Sequence, residues 1–187
     1  MARTESNMIE LGTRAPAFTL PDSISGRAVS LEEARGKRAT VLFFICNHCP
    51  FVKHVNPELV RLAGDYKGRE VGFIAINSND VESYPADSPE QMRVVAERWR
   101  YPFPYLYDET QAVAKRYEAA CTPDFYVFGP DLQLVYRGQL DDSRPENGKP
   151  LTGRDIRAAL DAILANQPVS ADQKPSIGCN IKWKQSR

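Results

Sequence analysis

The sequence has no long hydrophobic segment. Its longest uninterrupted apolar run is six residues, Val41 to Cys46, whereas a membrane-spanning helix needs about 20. The first ten residues, Met1 to Glu10, include Arg3 and two glutamates and lack the apolar stretch of an export signal. We therefore expect a cytoplasmic protein that has no membrane as a partner.

Neither sign of charge is in excess. Lysine and arginine together number 24, aspartate and glutamate also number 24, and the formal net charge is zero. Proteins that bind nucleic acids normally carry a positive excess, so we expect no nucleic-acid partner. Glycine and proline are scattered, and no internal repeat is present. A chain of 187 residues, 42% of them hydrophobic, fits one folded domain over residues 1–187.

Cysteine and histidine are scarce, with four cysteines and two histidines. Because no export signal is visible, these cysteines are expected to be catalytic, metal-bound or simply buried, and a disulfide framework is less expected. The usual glycine-rich phosphate-binding loops are also missing. We therefore predict no bound organic cofactor.

Hydrophobic periodicity predicts alternating strands and helices. The run Thr40–Ile45 is apolar on both faces, as expected of a central strand. The helix after it contains Pro57, which should kink or restart it, with Asn56 as a cap. The other predicted elements are strands at Val71–Asn77, Pro104–Tyr107, Asp124–Phe128 and Leu132–Arg137, and helices from Ser88 to about Arg100, Asp108 to about Glu118 and Thr152 to Leu164. This order predicts an α/β domain whose central mixed sheet has helices on both faces.

Cys46 and Cys49 lie where the central strand runs into the first helix. Two cysteines at this spacing can close a small disulfide ring, and a thiolate there is stabilised by free backbone N–H groups and the helix dipole. We expect Cys46 to face outward with the lower pKa, and Cys49 to lie deeper and release mixed disulfides. His48 lies between them and, when protonated, should lower the pKa of Cys46 further.

Metal binding is an alternative use of the same cysteines. A zinc site needs two further ligands, but Cys121 and Cys179 are isolated, and both histidines, His48 and His54, lie beside the motif. Proximity in three dimensions could still assemble such a site, with His54 as a ligand. A metal-binding or metallochaperone module is therefore the less favoured alternative. We expect none of these residues to bind a metal ion.

Pro123 directly precedes a predicted buried strand. A proline in this position suits a cis peptide bond, here Thr122–Pro123, which presents the preceding backbone edge to a neighbouring site. Taken alone the feature is weak, because prolines also lie at the edges of ordinary strands.

Several segments together are similar to one known superfamily. They are the lead-in Gly12–Leu20, the Cys46–Cys49 motif, Ala75–Asn77, Thr122–Pro123 and the tail Pro175–Trp183. With them the chain resembles the thioredoxin-like superfamily, and within it the redoxin branch of peroxiredoxin-like and TlpA-like proteins, over about residues 11–164. The tail is similar to bacterial peroxiredoxin-like members of this superfamily.

The resemblance implies a fold and a set of site residues. The fold is the thioredoxin-like α/β fold, with an N-terminal extension and a C-terminal tail. Cys46 is then the nucleophile and Cys49 the resolving thiol. Pro123, preceded by Thr122, is the cis-proline of the substrate groove.

The match to individual branches is incomplete. Thr40 stands where thioredoxin has a buried aspartate, and Ile45 stands where it has a tryptophan before the first cysteine. Peroxiredoxins carry Pro-x-x-x-Thr-x-x-Cys, and neither Cys46 nor Cys49 is preceded by this pattern. These departures argue against a plain thioredoxin and against rapid peroxidase chemistry.

Two further cysteines are candidate auxiliary thiols. Cys121 precedes Pro123 by two residues and should lie near the Cys46 pair, where a small buried hydrophobic role is favoured over a redox role. Cys179 lies in the tail 167–187, whose Ile177, Ile181 and Trp183 suggest packing on the domain. We hypothesise that this tail folds near the active site and that Cys179 acts as a late resolving thiol.

The sequence therefore predicts a thiol–disulfide oxidoreductase that works in cellular redox homeostasis. Its expected partners are a disulfide-bearing protein or small thiol as substrate, and a thioredoxin-like or low-molecular-weight thiol as reductant. The first alternative is a peroxiredoxin-like thiol peroxidase, in which Cys46 becomes a sulfenic acid that another cysteine resolves.

Overall fold

The computed structural model describes residues 3–185. Its strands are β1 (Arg3–Glu5), β2 (Thr19–Pro21), β3 (Ala28–Ser30), β4 (Ala39–Phe44), β5 (Val71–Asn77), β6 (Tyr105–Tyr107), β7 (Cys121–Thr122), β8 (Asp124–Phe128), β9 (Leu134–Gly138) and β10 (Ile177–Asn180). The helices are α1 (Leu31–Ala34), α2 (Pro50–Asp65), α3 (Pro89–Trp99), α4 (Ala112–Arg116) and α5 (Arg154–Leu164), and Pro85–Asp87 forms a 3₁₀ turn. Across residues 3–185, no helix is long and apolar enough to cross a membrane.

The central sheet has five strands in the order β6-β5-β4-β8-β9. β4 pairs in parallel with β5, and β5 pairs in parallel with β6. On the other side of β4, β8 pairs antiparallel with β4, and β9 pairs antiparallel with β8. Because β4 has neighbours on both edges and cores on both faces, every one of its residues is buried, which explains its unbroken apolar run. The prediction of a mixed α/β sheet is confirmed.

Side chains alternate between two cores along each strand. On β4, Val41 and Phe43 enter one core, which α2, α3 and α5 cover, and Leu42 and Phe44 enter the other, which α1 and α4 cover. This period of two is the ordinary geometry of a strand. The first core also contains three of the four cysteines, Cys46, Cys49 and Cys179. The candidate redox thiols therefore lie on the face of the sheet that α2 covers.

Helix α2 runs without a break through Pro57, contrary to the expectation of a restart there. Asn56 is buried inside the helix and caps nothing; its side-chain oxygen accepts a hydrogen bond from Tyr101 at 2.8 Å. The phenol partner explains why an asparagine is tolerated inside the helix. The helix begins at Pro50, where the missing N–H has no cost because the first turn has no intrahelical acceptor.

The C-terminal tail contributes a strand that periodicity did not predict. β10 is the middle strand of a second sheet, ordered β1-β10-β7, and pairs antiparallel with both neighbours. In this register Cys179 lies opposite Thr122. The tail thereby reaches the segment that precedes Pro123.

Candidate active site

Cys46 and Cys49 occupy the junction between β4 and α2. Cys46 follows the last residue of β4 by two positions, and Cys49 is the N-cap residue of α2. Both are free thiols, and their exposed fractions are 1% and 0%. The expectation that Cys46 faces outward is therefore wrong; its neighbours include Thr122, His48 and Asp87.

Thr122 touches both thiols. Its hydroxyl oxygen lies 3.4 Å from Cys46 Sγ, and its carbonyl oxygen lies 3.2 Å from Cys49 Sγ, where it accepts a hydrogen bond when the Cys49 thiol is protonated. The following peptide bond, Thr122–Pro123, is cis, as the position of this proline suggested. Residues 76 positions apart in the chain thus form one polar cluster around the sulfurs.

Cys179 is the third thiol of this cluster. Its Sγ lies 2.7 Å from Cys49 Sγ, and both side chains are buried. Cys121, by contrast, donates a weak hydrogen bond from its thiol to the carbonyl oxygen of Pro123 at 3.5 Å. Burial raises the pKa of Cys121 above the ordinary thiol range, which keeps that thiol protonated.

The electrostatics place the negative charge of the pair on Cys49. A hydrogen bond from Cys46 and a second from Cys179 lower the pKa of Cys49 to about 5, against the opposing effect of burial. The same hydrogen bond to Cys49, burial and the negative charge of Asp87 raise the pKa of Cys46 well above its ordinary value. Burial and the bond to Cys49 raise the pKa of Cys179 to about 12. The expectation of a low pKa at Cys46 is therefore wrong.

Asp87 is a site residue that the sequence reasoning missed. It is fully buried, its Oδ1 accepts from the backbone N–H of Asn47 at 2.7 Å, and its Oδ2 accepts from Asn79 at 2.8 Å. His48 Nδ1 lies 2.6 Å from the same Oδ2. Burial disfavours the ionised form, but hydrogen bonds from His48, Asn79 and Asn47 outweigh it and lower the pKa of Asp87. A buried carboxylate is thus fixed beside the thiols.

One positional signal could have identified Asp87. The loops after the parallel strands β4 and β5 leave the same edge of the sheet, so polar residues after Asn77 should meet the cysteine motif. Asp87 lies between that strand end and the N-cap residue of α3, Ser88. Its distance of 40 residues from Asn47 in the chain hides the contact.

The imidazole of His48 lies close to both Asp87 and Cys46. One ring nitrogen of His48, Cys46 Sγ and a carboxylate oxygen of Asp87 all lie within 4.8 Å of one another. Tyr84 stacks on the ring with centroids 5.4 Å apart. Among residues 3–185, the buried Nε2 of His48 has no hydrogen-bond partner. The Nδ1 contact to Asp87 therefore leaves Nε2 as the nitrogen available for proton transfer.

Within residues 3–185, these same three groups could together hold a metal ion. A thiolate, an imidazole and a carboxylate are suitable donors for zinc. His54, the other histidine, is engaged elsewhere, with its Nε2 2.8 Å from the hydroxyl of Ser143. Metal analysis of the protein purified under reducing conditions tests this use, because a metal module would retain stoichiometric zinc or copper.

Comparison with known proteins places this site in a family. The sequence matches the family model AhpC/TSA over residues 11–137. It is 65% identical to a conserved protein of Geobacillus kaustophilus whose crystal structure gives a TM-score of 0.98, with 100% of this chain and 99% of that chain covered.

Two curated relatives are redox proteins by name. A Mycobacterium tuberculosis protein described as "Putative peroxiredoxin" is 31% identical over 134 residues, 72% of this chain and 78% of the relative. The thiol-disulfide oxidoreductase ResA of Halalkalibacterium halodurans is 27% identical over 131 residues, 70% of this chain and 69% of the relative.

The fold is shared more widely than the sequence. The thioredoxin domain of a thiol-disulfide oxidoreductase from Bacteroides vulgatus, at 18% identity, gives a TM-score of 0.59 with 74% of this chain and 91% of that chain covered. The sheet order and the cis-proline beside the cysteine pair agree with a thioredoxin-like fold. The chain is a thioredoxin-like member of the AhpC/TSA family.

Proposed function

We propose that the protein is a thiol–disulfide oxidoreductase whose redox pair is Cys46 and Cys49. The observation that carries the proposal is the arrangement of two free thiols at the start of α2, both in contact with Thr122. The name of the ResA relative supports the same chemistry. Dithiol exchange needs two sulfurs within bonding reach, one of which ionises near neutral pH.

The reaction consists of two displacements at sulfur. Cys46 passes its proton to the Cys49 thiolate and, as a thiolate, attacks a substrate disulfide. A mixed disulfide forms on Cys46 and the first substrate sulfur leaves. Cys49 then loses its proton and attacks Cys46 Sγ, which releases the second substrate sulfur and forms the Cys46–Cys49 disulfide. Two electrons pass to the substrate; one leaving thiolate takes up the proton that the pair releases, and the other takes a proton from water.

His48 and Asp87 serve the proton transfers in this proposal. The Asp87 carboxylate accepts the Nδ1–H of His48, which leaves Nε2 unprotonated in the neutral ring. That nitrogen can accept a proton as a thiolate forms and return it to a departing substrate thiolate. The Thr122 hydroxyl, at 3.4 Å from Cys46 Sγ, can donate a hydrogen bond to the Cys46 thiolate.

The burial of Cys46 and Cys49 affects which substrates can reach them. Small disulfides and thiols need little space, whereas a disulfide-bearing protein requires the residues packed over Cys46 to move. We propose that a thioredoxin-like protein or a low-molecular-weight thiol regenerates the reduced pair, and that the protein works in the cytoplasm. A reducing compartment keeps such a pair in the dithiol form that donates electrons.

Turnover with defined thiols tests the proposal. The reduced protein should reduce glutathione disulfide and, with a recycling thiol, insulin, and the Cys46→Ala and Cys49→Ala variants should lose this activity. Cys121→Ala is the matched control and should retain it, because that thiol contacts Pro123 and not the pair. Equal activity of the Cys46→Ala variant and the wild-type protein would reject the proposed role of the pair.

Peroxide reduction is a second candidate. Cys46 has an exposed fraction of only 1% and a hydroxyl at 3.4 Å, an environment suited to a small oxidant, and one relative is named as a peroxiredoxin. The Cys46 thiolate would attack one peroxide oxygen and release hydroxide, and Cys49 would convert the sulfenic acid to a disulfide and water. Stopped-flow oxidation of the reduced protein separates the two functions. A rate orders of magnitude above that of a free thiolate indicates a peroxidase, and a rate equal to it leaves disulfide exchange.

A further inference from the structure

We infer that Cys179 is a third redox thiol, which takes the disulfide over from Cys46 and leaves it between Cys49 and Cys179. The inference rests on the proposed function, because it extends the same exchange by one step. It follows from the position of β10, which presents a buried sulfur to the resolving cysteine.

The contact between the two sulfurs is direct. Cys179 Sγ lies 2.7 Å from Cys49 Sγ, without an intervening side chain. Both residues are buried, at 2% and 0% exposure, so competing thiols in solution have poor access to Cys179. A sulfur held in this way attacks its neighbour as an intramolecular nucleophile, which avoids the entropy cost of bringing two molecules together.

The backbone on both sides holds Cys179 in place. β10 lies between β1 and β7, and Cys179 is opposite Arg3 on one side and Thr122 on the other. Beyond the strand, the Ile181 N–H donates to the carbonyl of Ala120 at 3.1 Å. The sulfur position is therefore set by a strand with partners on both edges, and not by a free terminus.

Gly178 shows how closely this strand approaches the site. A Cβ at this position would lie 2.0 Å from the carbonyl oxygen of Thr122 and 2.5 Å from its carbonyl carbon. That same carbonyl oxygen lies 3.2 Å from Cys49 Sγ. Only glycine lets β10 come near enough to β7 to bring Cys179 Sγ against Cys49 Sγ.

The transfer step balances without a further reactant. After the first substrate is reduced, the disulfide joins Cys46 and Cys49. The Cys179 thiolate attacks Cys49 Sγ, so the Cys49–Cys179 bond forms, the Cys46–Cys49 bond breaks and Cys46 leaves as a thiolate. The proton lost by Cys179 compensates the proton taken up by Cys46. No electrons enter or leave, and the oxidised chain regains a free thiol at Cys46.

This arrangement gives the oxidised protein two forms with different properties. With the disulfide between Cys46 and Cys49, β10 is held only by hydrogen bonds and packing. With the disulfide between Cys49 and Cys179, β10 is covalently joined to the start of α2, and Cys46 can attack a second disulfide. The reductant must then open a disulfide that contains the tail.

Disulfide mapping tests the inference on the unmodified protein. The reduced chain is treated with one equivalent of glutathione disulfide and quenched with acid, its free thiols are alkylated, and its peptides are analysed by mass spectrometry without reduction. We expect Cys49–Cys179 peptides in the wild-type protein, accompanied by alkylated Cys46. The Cys179→Ala variant should yield only Cys46–Cys49, and the Cys46→Ala variant, which lacks the attacking thiol, should remain reduced. Cys121→Ala is the control and should give the wild-type pattern.

The outcomes separate this inference from the function on which it rests. Formation of Cys46–Cys49 with Cys179 fully alkylated at equilibrium would overturn the third-thiol role and leave the oxidoreductase intact. A disulfide that involves Cys121 in place of Cys179 would overturn it in the same way. If glutathione disulfide oxidises no thiol of the folded wild-type chain, the proposed function and this inference fail together.

Discussion

The thiols of this site differ in their hydrogen-bond partners more than in their exposure. Cys46, Cys49 and Cys179 are all buried, yet Cys49 alone receives hydrogen bonds from two other thiols. Cys46 faces the negative charge of Asp87, which disfavours its ionisation. Burial opposes ionisation at all three sulfurs, and only at Cys49 do hydrogen-bond donors outweigh it.

The ionisation of Cys49 can be followed directly by absorbance. Ultraviolet thiolate absorbance of the reduced protein should show one thiolate that titrates with a midpoint of about 5. Cys46→Ala should raise this midpoint, because the strongest hydrogen-bond donor to Cys49 is then lost. The midpoint of the wild-type protein at the free-thiol value of about 8.5, or an unchanged midpoint in the variant, would contradict the assignment.

The same pKa shift has a consequence for stability. The folded-state pKa of Cys49, about 5, lies below that of the unfolded chain, so between these values the unfolded state binds more protons. The stabilisation from Cys49 should be complete above the unfolded pKa and should be lost as pH falls towards 5. Urea unfolding of the reduced wild-type protein and of the Cys49→Ala variant, repeated between pH 5 and the pKa of the unfolded thiol, measures this contribution to the free energy of unfolding. Parallel pH profiles for the two proteins would show that Cys49 contributes nothing.

Substitution of Asp87 tests the effect of its carboxylate on Cys46. Asp87→Asn should lower the pKa of Cys46, because the charge that raises it is removed. The variant should also lose about 1.5–3 kcal/mol of stability per charged hydrogen bond weakened. The pH profile of Cys46 alkylation and urea unfolding provide the two readouts. Asp80→Asn is the control, because the Asp80 carboxylate bonds to Ser83 and Glu82 and not to the motif; a similar shift in both variants would reject a specific role of Asp87.

Among the secondary-structure elements, β10 and α2 determine the site together. Helix α2 provides Cys49 as its N-cap residue, and β10 provides Cys179 opposite Thr122. Pro57 does not disturb this arrangement, since it lies two turns beyond the N-terminus of an unbroken helix. The strand depends on a close approach to β7, which makes Gly178 its most sensitive position.

Gly178→Ala should displace β10 from β7. The added Cβ would meet the backbone of Thr122 at 2.0 Å, and backbone cannot yield as a flexible side chain does, so we expect a loss of about 1–3 kcal/mol. The Cys49–Cys179 disulfide should also become scarcer in the mapping experiment. Gly64→Ala, on α2 with open space around it, should be neutral or stabilising by up to about 1 kcal/mol. Wild-type stability and mapping for Gly178→Ala would contradict the argument.

Across the whole molecule, the two faces of the central sheet bury different kinds of polar group. The α2 face contains the thiols, and the other face contains a buried ion pair between Asp124 and Arg137, which links β8 to β9. The guanidinium carbon also lies 3.9 Å from the ring centre of Tyr126. Because Asp124 directly follows Pro123, this ion pair anchors the segment that reaches the thiols.

Breaking the ion pair between Asp124 and Arg137 should lower the stability of the fold. Arg137→Met leaves the fully buried Asp124 without its cation, and a loss of about 3–5 kcal/mol is typical of such a change. The double variant Arg137→Met/Asp124→Leu should recover part of the loss, because no uncompensated charge remains. Urea unfolding of the three proteins measures both effects. A single variant that loses less than about 1 kcal/mol would show that the pair is not needed for stability.

Most of the central fold followed from local sequence patterns. The apolar run of β4, the capping residue Ser88 and the hairpin of β8 and β9 each carry their signal within a few residues, because strand burial, helix capping and turn formation are local effects. The resemblance to a redoxin then supplied the cysteine pair and Pro123. These features do not depend on which distant segments come together.

Tertiary structure alone decided how the site works. The four residues of β10 show no strand alternation, and the strand exists because β1 and β7 supply its hydrogen-bond partners. Asp87 meets the cysteine motif only because two parallel strands end at the same edge of the sheet. The burial of Cys46 follows from these distant contacts, whereas the low pKa of Cys49 combines a hydrogen bond from nearby Cys46 with one from distant Cys179. A pKa depends on everything within a few ångströms of a sulfur, and most of those atoms lie far away in the sequence.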